Sequence, residues 1–240
     1  MTQQAMFNMS LHSPAAPSTI DLRCCGVDEI LRDARGARFI HSDPPWRYAR
    51  NAGGANPEIN GIYNGLSEAE IVSHLDAAYS CAAPGARMAV WYTWPKSAEW
   101  RAAGMAGARW GAEVTGGAWV KVGHVGVGYH WRGQSEPVAL FTRKDGATGR
   151  PDEILLNGHI SRSGDHSEKP LAWLRQMVRA WTKPGDLVVD LYAGMAPMAQ
   201  ACMLEGRRYI GAEIDPERHR IALCRLAATV EQVGLFGGGR

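Results

Sequence analysis

Short apolar runs alternate along the chain with stretches whose apolar residues recur every three or four positions. The first pattern predicts strands and the second predicts helices. We predict strands at 20–23, 37–42, 88–92, 118–122, 138–142, 187–189 and 209–214, with a turn at 84–85. Helices are predicted after a capping box at 67–70, over 96–110, from 170 to 181, over 197–204 and after 215. Because strands and helices alternate, the pattern predicts an α/β fold with a doubly wound sheet.

The length and composition suit a single globular domain. The 240 residues are enough for one large α/β domain, and 45% hydrophobic and 21% charged content is ordinary. Since no repeat or linker is visible, we expect one domain over 20–236 after a loose N-terminal arm over 1–19. The sequence contains no run of about 18 apolar residues, so no membrane span is predicted.

The five cysteines form no CxxC pair and are odd in number. That usage favours a reducing cytoplasm, without a disulfide framework or a zinc cluster. We therefore expect a cytoplasmic protein that uses no metal.

A rigid corner follows the strand predicted at 37–42. Asp43 ends the strand, Pro44 and Pro45 fix φ near about −65° without donating a backbone N–H, and Trp46 adds a large ring. An amine on a planar heterocycle needs acceptors for its hydrogens and a flat surface for its ring, and these residues supply both. Taken alone, the four residues also suit a strand that simply ends in a proline turn.

A second strand, turn and helix occur near the other end of the chain. The strand at 187–189 leads to Asp190, and a turn containing Tyr192 and Gly194 follows. The next strand reaches Glu213 about 20 residues later. This is the pattern of a Rossmann-like nucleotide-binding half, in which the second acid accepts hydrogen bonds from ribose hydroxyls. The alternative is that Glu213 is a surface residue at a helix entry.

Neither GxGxxG nor GxxxxGK[ST] occurs in the sequence. A cofactor without phosphates is therefore favoured over a dinucleotide or a nucleoside triphosphate. S-adenosylmethionine fits, because it carries adenosine, an amino acid end and a sulfonium.

Several motifs occur together in a fixed order, at 43–46, 63–71, 91–93, 119–121, 132–136 and 166–170. With them the chain resembles the Asp-Pro-Pro-Trp adenine-N6 methyltransferases. That family includes the catalytic subunit of the eukaryotic mRNA adenine methyltransferase and many bacterial and phage DNA adenine methyltransferases. The resemblance covers about residues 20–230. It implies a Rossmann-like methyltransferase sheet, permuted so that the catalytic motif precedes the cofactor motif.

The resemblance implies a role for individual positions. Asp43 and the Pro44 carbonyl, with Pro45 beside them, would hold the target amine, while Trp46 would stack on the base. The implied cofactor-binding residues are Lys169 at the methionine carboxylate, Tyr192 and Gly194 in the pocket with Asp190, and Glu213 on the ribose. The implied substrate-binding residues are Arg47, Arg132 and Glu136. After Gly194, many DNA-modifying relatives have Ser-Gly-Thr, whereas this chain has Met195-Ala196-Pro197.

The resulting prediction is direct transfer of the sulfonium methyl group to the exocyclic N6 amine of adenine in DNA. Groups that accept hydrogen bonds from the two N–H groups of this amine would stabilise the positive charge that develops on nitrogen during the attack. The alternatives are N6 methylation of RNA, N4 methylation of cytosine, and a non-catalytic nucleic-acid-binding partner with the same fold. Because 145–165 leaves little room for a recognition domain, we expect either a short recognised sequence or a second subunit that assists recognition, and a homodimer stays open.

The net charge of +2 does not by itself indicate a nucleic-acid partner, so any basic surface must be local. The candidates for phosphate contact, expected on loops near the site, are Arg47, Arg50, Arg132, Arg143, Lys144, Arg150 and Arg162. Scattered basic residues also suit a solvated surface, and the sequence does not separate the two interpretations.

Overall fold

The computed structural model describes residues 9–11, 18–47, 65–111, 114–121, 133–145, 159–161 and 168–237. Its strands are β1 (Met9–Leu11), β2 (Ser18–Cys24), β3 (Ala37–Ser42), β4 (Ala82–Trp91), β5 (Thr115–Lys121), β6 (Ser135–Thr142), β7 (His159–Ser161), β8 (Leu187–Asp190) and β9 (Arg208–Glu213). Its helices are α1 (Val27–Asp33), α2 (Glu68–Ala78), α3 (Ser97–Ala102), α4 (Leu171–Trp181), α5 (Pro197–Leu204) and α6 (Pro216–Gly237). A 3₁₀ turn at Trp94–Lys96 precedes α3.

These strands form one sheet in the order β1-β2-β9-β8-β3-β4-β6-β5-β7. The five strands from β2 to β4 in that order run parallel, and β6 is antiparallel to β4 and to β5. One face of the sheet packs against Ile30, Ile71 and Trp100, and the other packs against Trp173, Met198 and Leu226. Helices therefore cover both faces, which confirms the doubly wound α/β fold.

The most deeply buried strands lie at the middle of the sheet. Leu187 and Val189 of β8 face one core cluster and Val188 faces the other, so both faces of this strand are apolar. Such a continuous apolar run is typical of a central parallel strand. β8 pairs with β3, and from β3 the chain continues to β4 on the other side. The space between β8 and β3 is thus a topological switch point, where doubly wound sheets bind ligands.

Most helix boundaries follow their local sequence signals. α2 begins with the predicted capping box, because Ser67 Oγ accepts from the Glu70 N–H and Glu70 Oε2 accepts from the Ser67 N–H. α4 starts directly after Pro170, and α5 occupies the predicted range 197–204.

Two predictions on the β4 side of the sheet were wrong. The turn expected at 84–85 lies inside β4, where the register shifts between the Ala37–Ala82 and Phe39–Arg87 pairs and the strand bulges. The helix expected over 96–110 ends at Ala102. Gly104 and Met105 both adopt positive φ, at 97° and 53°, and this left-handed backbone cannot continue an α-helix.

Part of the N-terminal segment that was expected to be a loose arm is a strand. Residues 9–11 pair antiparallel with β2, with Met9 opposite Ile20, and form an edge strand of the sheet. Residues 48–64, 122–132, 146–158 and 162–167 lie outside the described residues. No helix among the described residues is long and apolar enough to cross a membrane.

Candidate active site

The two sequence motifs meet at neighbouring strand ends. His41 of β3 lies opposite Asp190 of β8, and the Leu191 N–H donates to the His41 carbonyl over 3.0 Å. Asp43 leaves the sheet two residues after His41, and the turn that contains Gly194 leaves it directly after Asp190. Two stretches about 150 positions apart in the sequence therefore meet at one edge of the sheet.

A buried hydrogen-bond network lies beneath this junction. Asp190 Oδ1 is 2.9 Å from His41 Nδ1, and Asp190 Oδ2 accepts from the Tyr209 hydroxyl over 3.0 Å. Trp91 Nε1 donates to His41 Nε2 over 3.0 Å, so the imidazole accepts at Nε2 and donates to Asp190 at Nδ1. Gly211 leaves room for the Tyr209 hydroxyl, which would lie 2.1 Å from a Cβ at that position. The network links the carboxyl ends of β3, β4 and β8 to Tyr209, near the start of β9.

This network changes the interpretation of Asp190. The sequence predicted a cofactor-binding carboxylate, but both oxygens hydrogen-bond to interior side chains and the residue is 1% exposed. Burial raises the pKa of Tyr209, with the charge of Asp190 adding to the effect, so its hydroxyl stays protonated and keeps donating. Asp190 thus holds the strand ends in place. Sequence reasoning missed His41, Trp91 and Tyr209. The one signal in the sequence is His41 itself, a polar residue inside the mostly apolar run 37–42.

Four charged side chains of alternating sign lie side by side above the network. Lys169 Nζ is 2.6 Å from Asp43 Oδ2 and 3.1 Å from Glu136 Oε2. Lys121 Nζ contacts Glu136 Oε1 from the other side. The ammonium of Lys169 also lies 5.1 Å from the centroid of the Trp91 ring. The structure therefore brings together Asp43, Glu136 and Lys169, which the sequence singled out, and adds Lys121.

The pKa shifts in this group follow from burial and charge pairing. Burial raises the pKa of Asp43, and the neighbouring Lys169 only partly offsets this. For Lys169, burial acts against the charge, but Asp43 and Glu136 outweigh it and raise the pKa. For Glu136, burial is outweighed by Lys169 and Lys121, so the pKa falls. Of Asp43 and Glu136, Asp43 is thus the more readily protonated, and its ionisation depends on Lys169.

The proline corner is built as a tight turn. The Trp46 N–H donates to the Pro44 carbonyl over 2.9 Å, and the Leu66 N–H donates to the Pro45 carbonyl over 2.8 Å. A carbonyl oxygen has two lone pairs, so Pro44 retains capacity for a second donor. Among the described residues, no group donates to Asp43 Oδ1, and 33% of the Asp43 side chain is exposed. The corner therefore presents two acceptor oxygens at the strand end.

Trp46 does not lie where the resemblance implied. The residue is 7% exposed, its Nε1 donates to the Trp91 carbonyl over 3.2 Å, and its ring meets the edge of Trp100 at 5.7 Å. In this position the ring packs in the core and offers no open face to a base. The hydrogen bond to Trp91 and the contact with Trp100 hold the ring in the core.

The turn after β8 is joined to the end of β9. The Gly194 N–H donates to Glu213 Oε2 and the Asp215 N–H donates to Glu213 Oε1, both over 2.8 Å. Gly194 has φ of 55°, and a Cβ there would meet nothing within 4 Å. Ala196 also adopts a left-handed conformation, with φ of 57°, directly before Pro197. The unusual Met195-Ala196-Pro197 segment thus forms a tight turn beside open space.

Glu213 and its neighbours have the properties expected around an adenosine. Burial raises the pKa of Glu213, opposed by the N–H groups of Asp215 and Gly194. Ile214, which the sequence reasoning missed, is 76% exposed directly after Glu213 and offers an apolar surface beside the carboxylate. The Tyr192 hydroxyl is 2.8 Å from His74 Nδ1, so the turn is also tied to α2. A carboxylate, an open backbone and an apolar patch together fit a nucleoside.

The predicted basic residues divide between two edges of the sheet. Arg47 lies near the site, with Nε donating to the Gly65 carbonyl and Nη2 3.5 Å from Glu70 Oε2. Arg143 and Lys144 follow the end of β6, which runs antiparallel to β4, so they lie at the opposite edge. Their expected place near the site was therefore wrong. Arg50, Arg132, Arg150 and Arg162 lie outside the described residues.

The fold is that of several solved methyltransferases. The M1.HpyAVI–SAM complex superposes with a TM-score of 0.65 at 19% identity, over 86% of this chain and 99% of that one. TTHA0409 of Thermus thermophilus, complexed with S-adenosyl-L-methionine, gives a TM-score of 0.62 at 19% identity, over 87% and 95%. PvuII DNA methyltransferase, which is cytosine-N4-specific, gives 0.62 at 14% identity, over 90% and 93%. At these identities the likeness establishes the fold.

Sequence comparison identifies the family. Residues 90–223 match the family named N6_N4_Mtase and described as DNA methylase, and the chain belongs to that family. Over 60 residues, 25% of this chain, it is 37% identical to the DNA adenine methyltransferase YhdJ of Escherichia coli (strain K12). Over 100 residues, 41% of this chain, it is 31% identical to the type II methyltransferase M.XycI of Xanthomonas campestris pv. cyanopsidis. The matches span 20% of YhdJ and 31% of M.XycI, so this chain covers less than a third of each relative.

Proposed function

We propose that this protein transfers a methyl group from S-adenosylmethionine to the exocyclic N6 amine of adenine in DNA. The observation that carries the proposal is the meeting of Asp43 with Lys169 and Glu136 at a strand end directly beside the Gly194–Glu213 turn. Membership of the DNA methylase family supports the same reaction class and substrate. In this proposal the cofactor supplies an activated methyl group on a sulfonium.

Asp43 and Pro44 act on the amine. An exocyclic adenine amine is a weak nucleophile because its lone pair is delocalised into the ring. Asp43 Oδ1 and the Pro44 carbonyl accept hydrogen bonds from its two N–H groups. These hydrogen bonds favour a pyramidal nitrogen and stabilise the positive charge that develops there. Lys169 holds the other carboxylate oxygen of Asp43 at 2.6 Å, which fixes the orientation of the carboxylate and keeps it ionised.

The turn after β8 and the end of β9 hold the cofactor. Glu213 accepts from the ribose hydroxyls, the backbone at Gly194 allows close approach, and Tyr192 lines the pocket. Ile214 supplies apolar contact for the adenine ring. Lys169, which already lies between two carboxylates, is suited to a third carboxylate on the methionine end of the cofactor.

The DNA contacts are proposed from fewer residues. Arg47 is exposed beside the site and is suited to a backbone phosphate. Arg132 is proposed on the strength of the sequence resemblance. This chain is proposed to recognise a short target sequence, and a second copy of the chain or another subunit is proposed to extend that sequence. The proposed setting is the reducing cytoplasm, consistent with five cysteines that all carry free thiols.

The test is methyl transfer from labelled cofactor to DNA and to RNA, followed by digestion to nucleosides. We expect N6-methyladenine from DNA with the wild type, and a loss of at least about 100-fold with D43A, since the group acts at the transition state. Cofactor binding by D43A, measured by calorimetry, should persist. D145N is the matched control, because Asp145 is an exposed acid paired with Arg143 away from the site.

The product distinguishes the alternatives. N4-methylcytosine, N6-methyladenine in RNA, or no product would each contradict the proposed reaction. Undiminished methylation by D43A would contradict the role of Asp43 alone. N4-methylcytosine is a real alternative, because PvuII DNA methyltransferase has the same fold and is cytosine-N4-specific.

A further inference from the structure

Trp94 is an exposed ring at the carboxyl edge of the sheet. It follows the end of β4 by three residues and is 55% exposed. Within the part of the chain that the structure describes, it is the one large aromatic residue that is exposed. Trp46 and Tyr92, which lie at the same edge, are each 7% exposed. Trp94 therefore differs from these two aromatic neighbours, which pack inward.

The strand register places Trp94 on the same edge as the site. Ser42 lies opposite Val90 in the parallel β3–β4 pair, so Asp43 leaves the sheet beside the end of β4. β6 runs antiparallel to β4 and therefore begins at this edge, with Ser135 next to Glu136. Trp94, Asp43 and Glu136 thus come from three adjacent strand ends.

The indole ring is held in one orientation. Trp94 Nε1 donates to Ser135 Oγ over 3.1 Å, and the ring meets Tyr92 at 6.2 Å in an edge-to-face contact. Tyr92 is itself fixed, because its N–H donates to the Pro137 carbonyl and its ring packs on Trp100 at 5.1 Å. An exposed ring with this much support has little conformational entropy to lose when a ligand stacks on it.

The turn that carries Trp94 is also fixed by charge. Trp94 begins the 3₁₀ turn that ends at Lys96. Lys96 is 8% exposed, and its ammonium lies 2.8 Å from Glu68 Oε1 and 2.7 Å from Glu99 Oε2. The exposure of Trp94 is therefore built into an anchored turn.

We propose that Trp94 is a substrate-binding residue, whose ring stacks on an unpaired base of the DNA strand held at the Asp43 corner. This inference rests on the proposed function, since it assumes a nucleic-acid substrate at that edge. A base taken out of a duplex loses its stacking partners and needs a new flat surface. Trp46 cannot supply that surface from the core, whereas Trp94 offers one that is already oriented. Every base has a flat face that can stack on an aromatic ring, so stacking does not depend on base identity. This suits Trp94, which lies outside the corner that holds the reacting amine.

The test compares binding to two single strands of equal length, an oligodeoxyadenylate and an abasic strand with the same phosphates. The wild type should prefer the strand with bases. W94A should weaken binding to that strand about 5- to 150-fold and leave the abasic strand unchanged, as expected when one stacked base is lost. W94F, which keeps a ring, should lose less. V114A is the matched control, because Val114 is 57% exposed just before β5, at the opposite edge.

The outcomes separate stacking from folding and from the proposed reaction. W94L keeps apolar bulk, so it should fold even if W94A does not, and it should lose the preference for bases. Unchanged binding by W94A or W94L, or an equal loss on both strands, would overturn the proposal. Methyl transfer by the wild type is measured separately. A wild type that makes no methylated DNA but has a Trp94-dependent base preference contradicts the reaction and leaves stacking intact.

Discussion

Replacing Lys169 with methionine removes the cation on which the ionisation of Asp43 depends. The side chain of Lys169 is 5% exposed and contacts both Asp43 and Glu136. Methionine fills a similar volume but carries no charge. Glu136 keeps a second cation, Lys121, so the uncompensated charge falls mainly on Asp43. We expect K169M to shift methylation activity to higher pH.

The magnitude follows from the geometry. An opposite charge within about 4–6 Å lowers a carboxylate pKa by about 1–3 units, and Lys169 lies at 2.6 Å. Asp43 has a side chain that is 33% exposed, so water screens part of this effect, and we expect a smaller shift of its pKa than a fully buried pair would show. The sign is upward, because burial already raises the pKa of Asp43 and Lys169 opposes it. At a pH below the new pKa, Asp43 is protonated and cannot accept from the amine.

Stability should change in the same variant. Breaking a buried ion pair by removing one partner costs about 3–5 kcal/mol, and partial exposure of Asp43 reduces this to about 2–3 kcal/mol. The loss should be smaller at low pH, because protonation of Asp43 removes its uncompensated charge. Urea unfolding of the wild type and K169M at two pH values measures this loss in the free energy of unfolding.

The assay is the single-turnover methylation rate as a function of pH, with saturating cofactor and DNA. Saturation is needed because Lys169 is also proposed to bind the cofactor. The acidic limb of the profile should move up in K169M and move partly back in K169M/E136Q, which removes the neighbouring negative charge. An acidic limb at the wild-type position in K169M, with only the cofactor affinity reduced, would refute the coupling between Lys169 and Asp43.

Two further variants test the positions of Trp46 and Gly194. W46A should lose about 3–5 kcal/mol in urea unfolding, because a buried ring is deleted and the Trp91 carbonyl loses a donor. A stable W46A that loses only DNA affinity would show that the ring stacks on the base after all. G194A should cost about 1–2 kcal/mol for its left-handed backbone and should also weaken cofactor binding in calorimetry. G36A, with φ of 72° and nothing within 4 Å, should show the backbone cost alone, and equal cofactor affinities in both variants would contradict a cofactor site at Gly194.

The sheet was predictable from the sequence because its central strands are apolar on both faces. The run at 187–189 and the apolar positions of 37–42 have no alternative to a buried position between two helical layers. The two strand ends that meet at the switch point were each found from a strand-to-turn pattern that ends in an acid. These signals are local, and a one-dimensional pattern is enough to find them.

The failures concern features that depend on tertiary packing. Nothing near Trp46 in sequence indicates that its indole will find the carbonyl of Trp91, 45 positions later. Nor does the apolar pattern at 96–110 show that Gly104 and Met105 will adopt positive φ and end α3. The same holds for Asp190, whose partners His41 and Tyr209 come from two other strands. The residue types indicate which chemical groups are present at these positions. Which partners those groups contact depends on the fold.

The order of the two motifs along the chain has no bearing on the site, and the sheet order explains why. β8 and β3 are neighbours with matched register, so Asp190 lies beside His41 although 149 positions separate them. A site at a switch point needs two parallel strands that end at the same edge, and their order in the sequence is free. The junction is then held by side chains that bridge strands, with Lys169 linking Asp43 of the β3 end to Glu136 of β6. That ammonium joins separate parts of the chain, so it sets both the position and the charge of Asp43, the carboxylate proposed to bind the amine. Substitution of Lys169 therefore tests both.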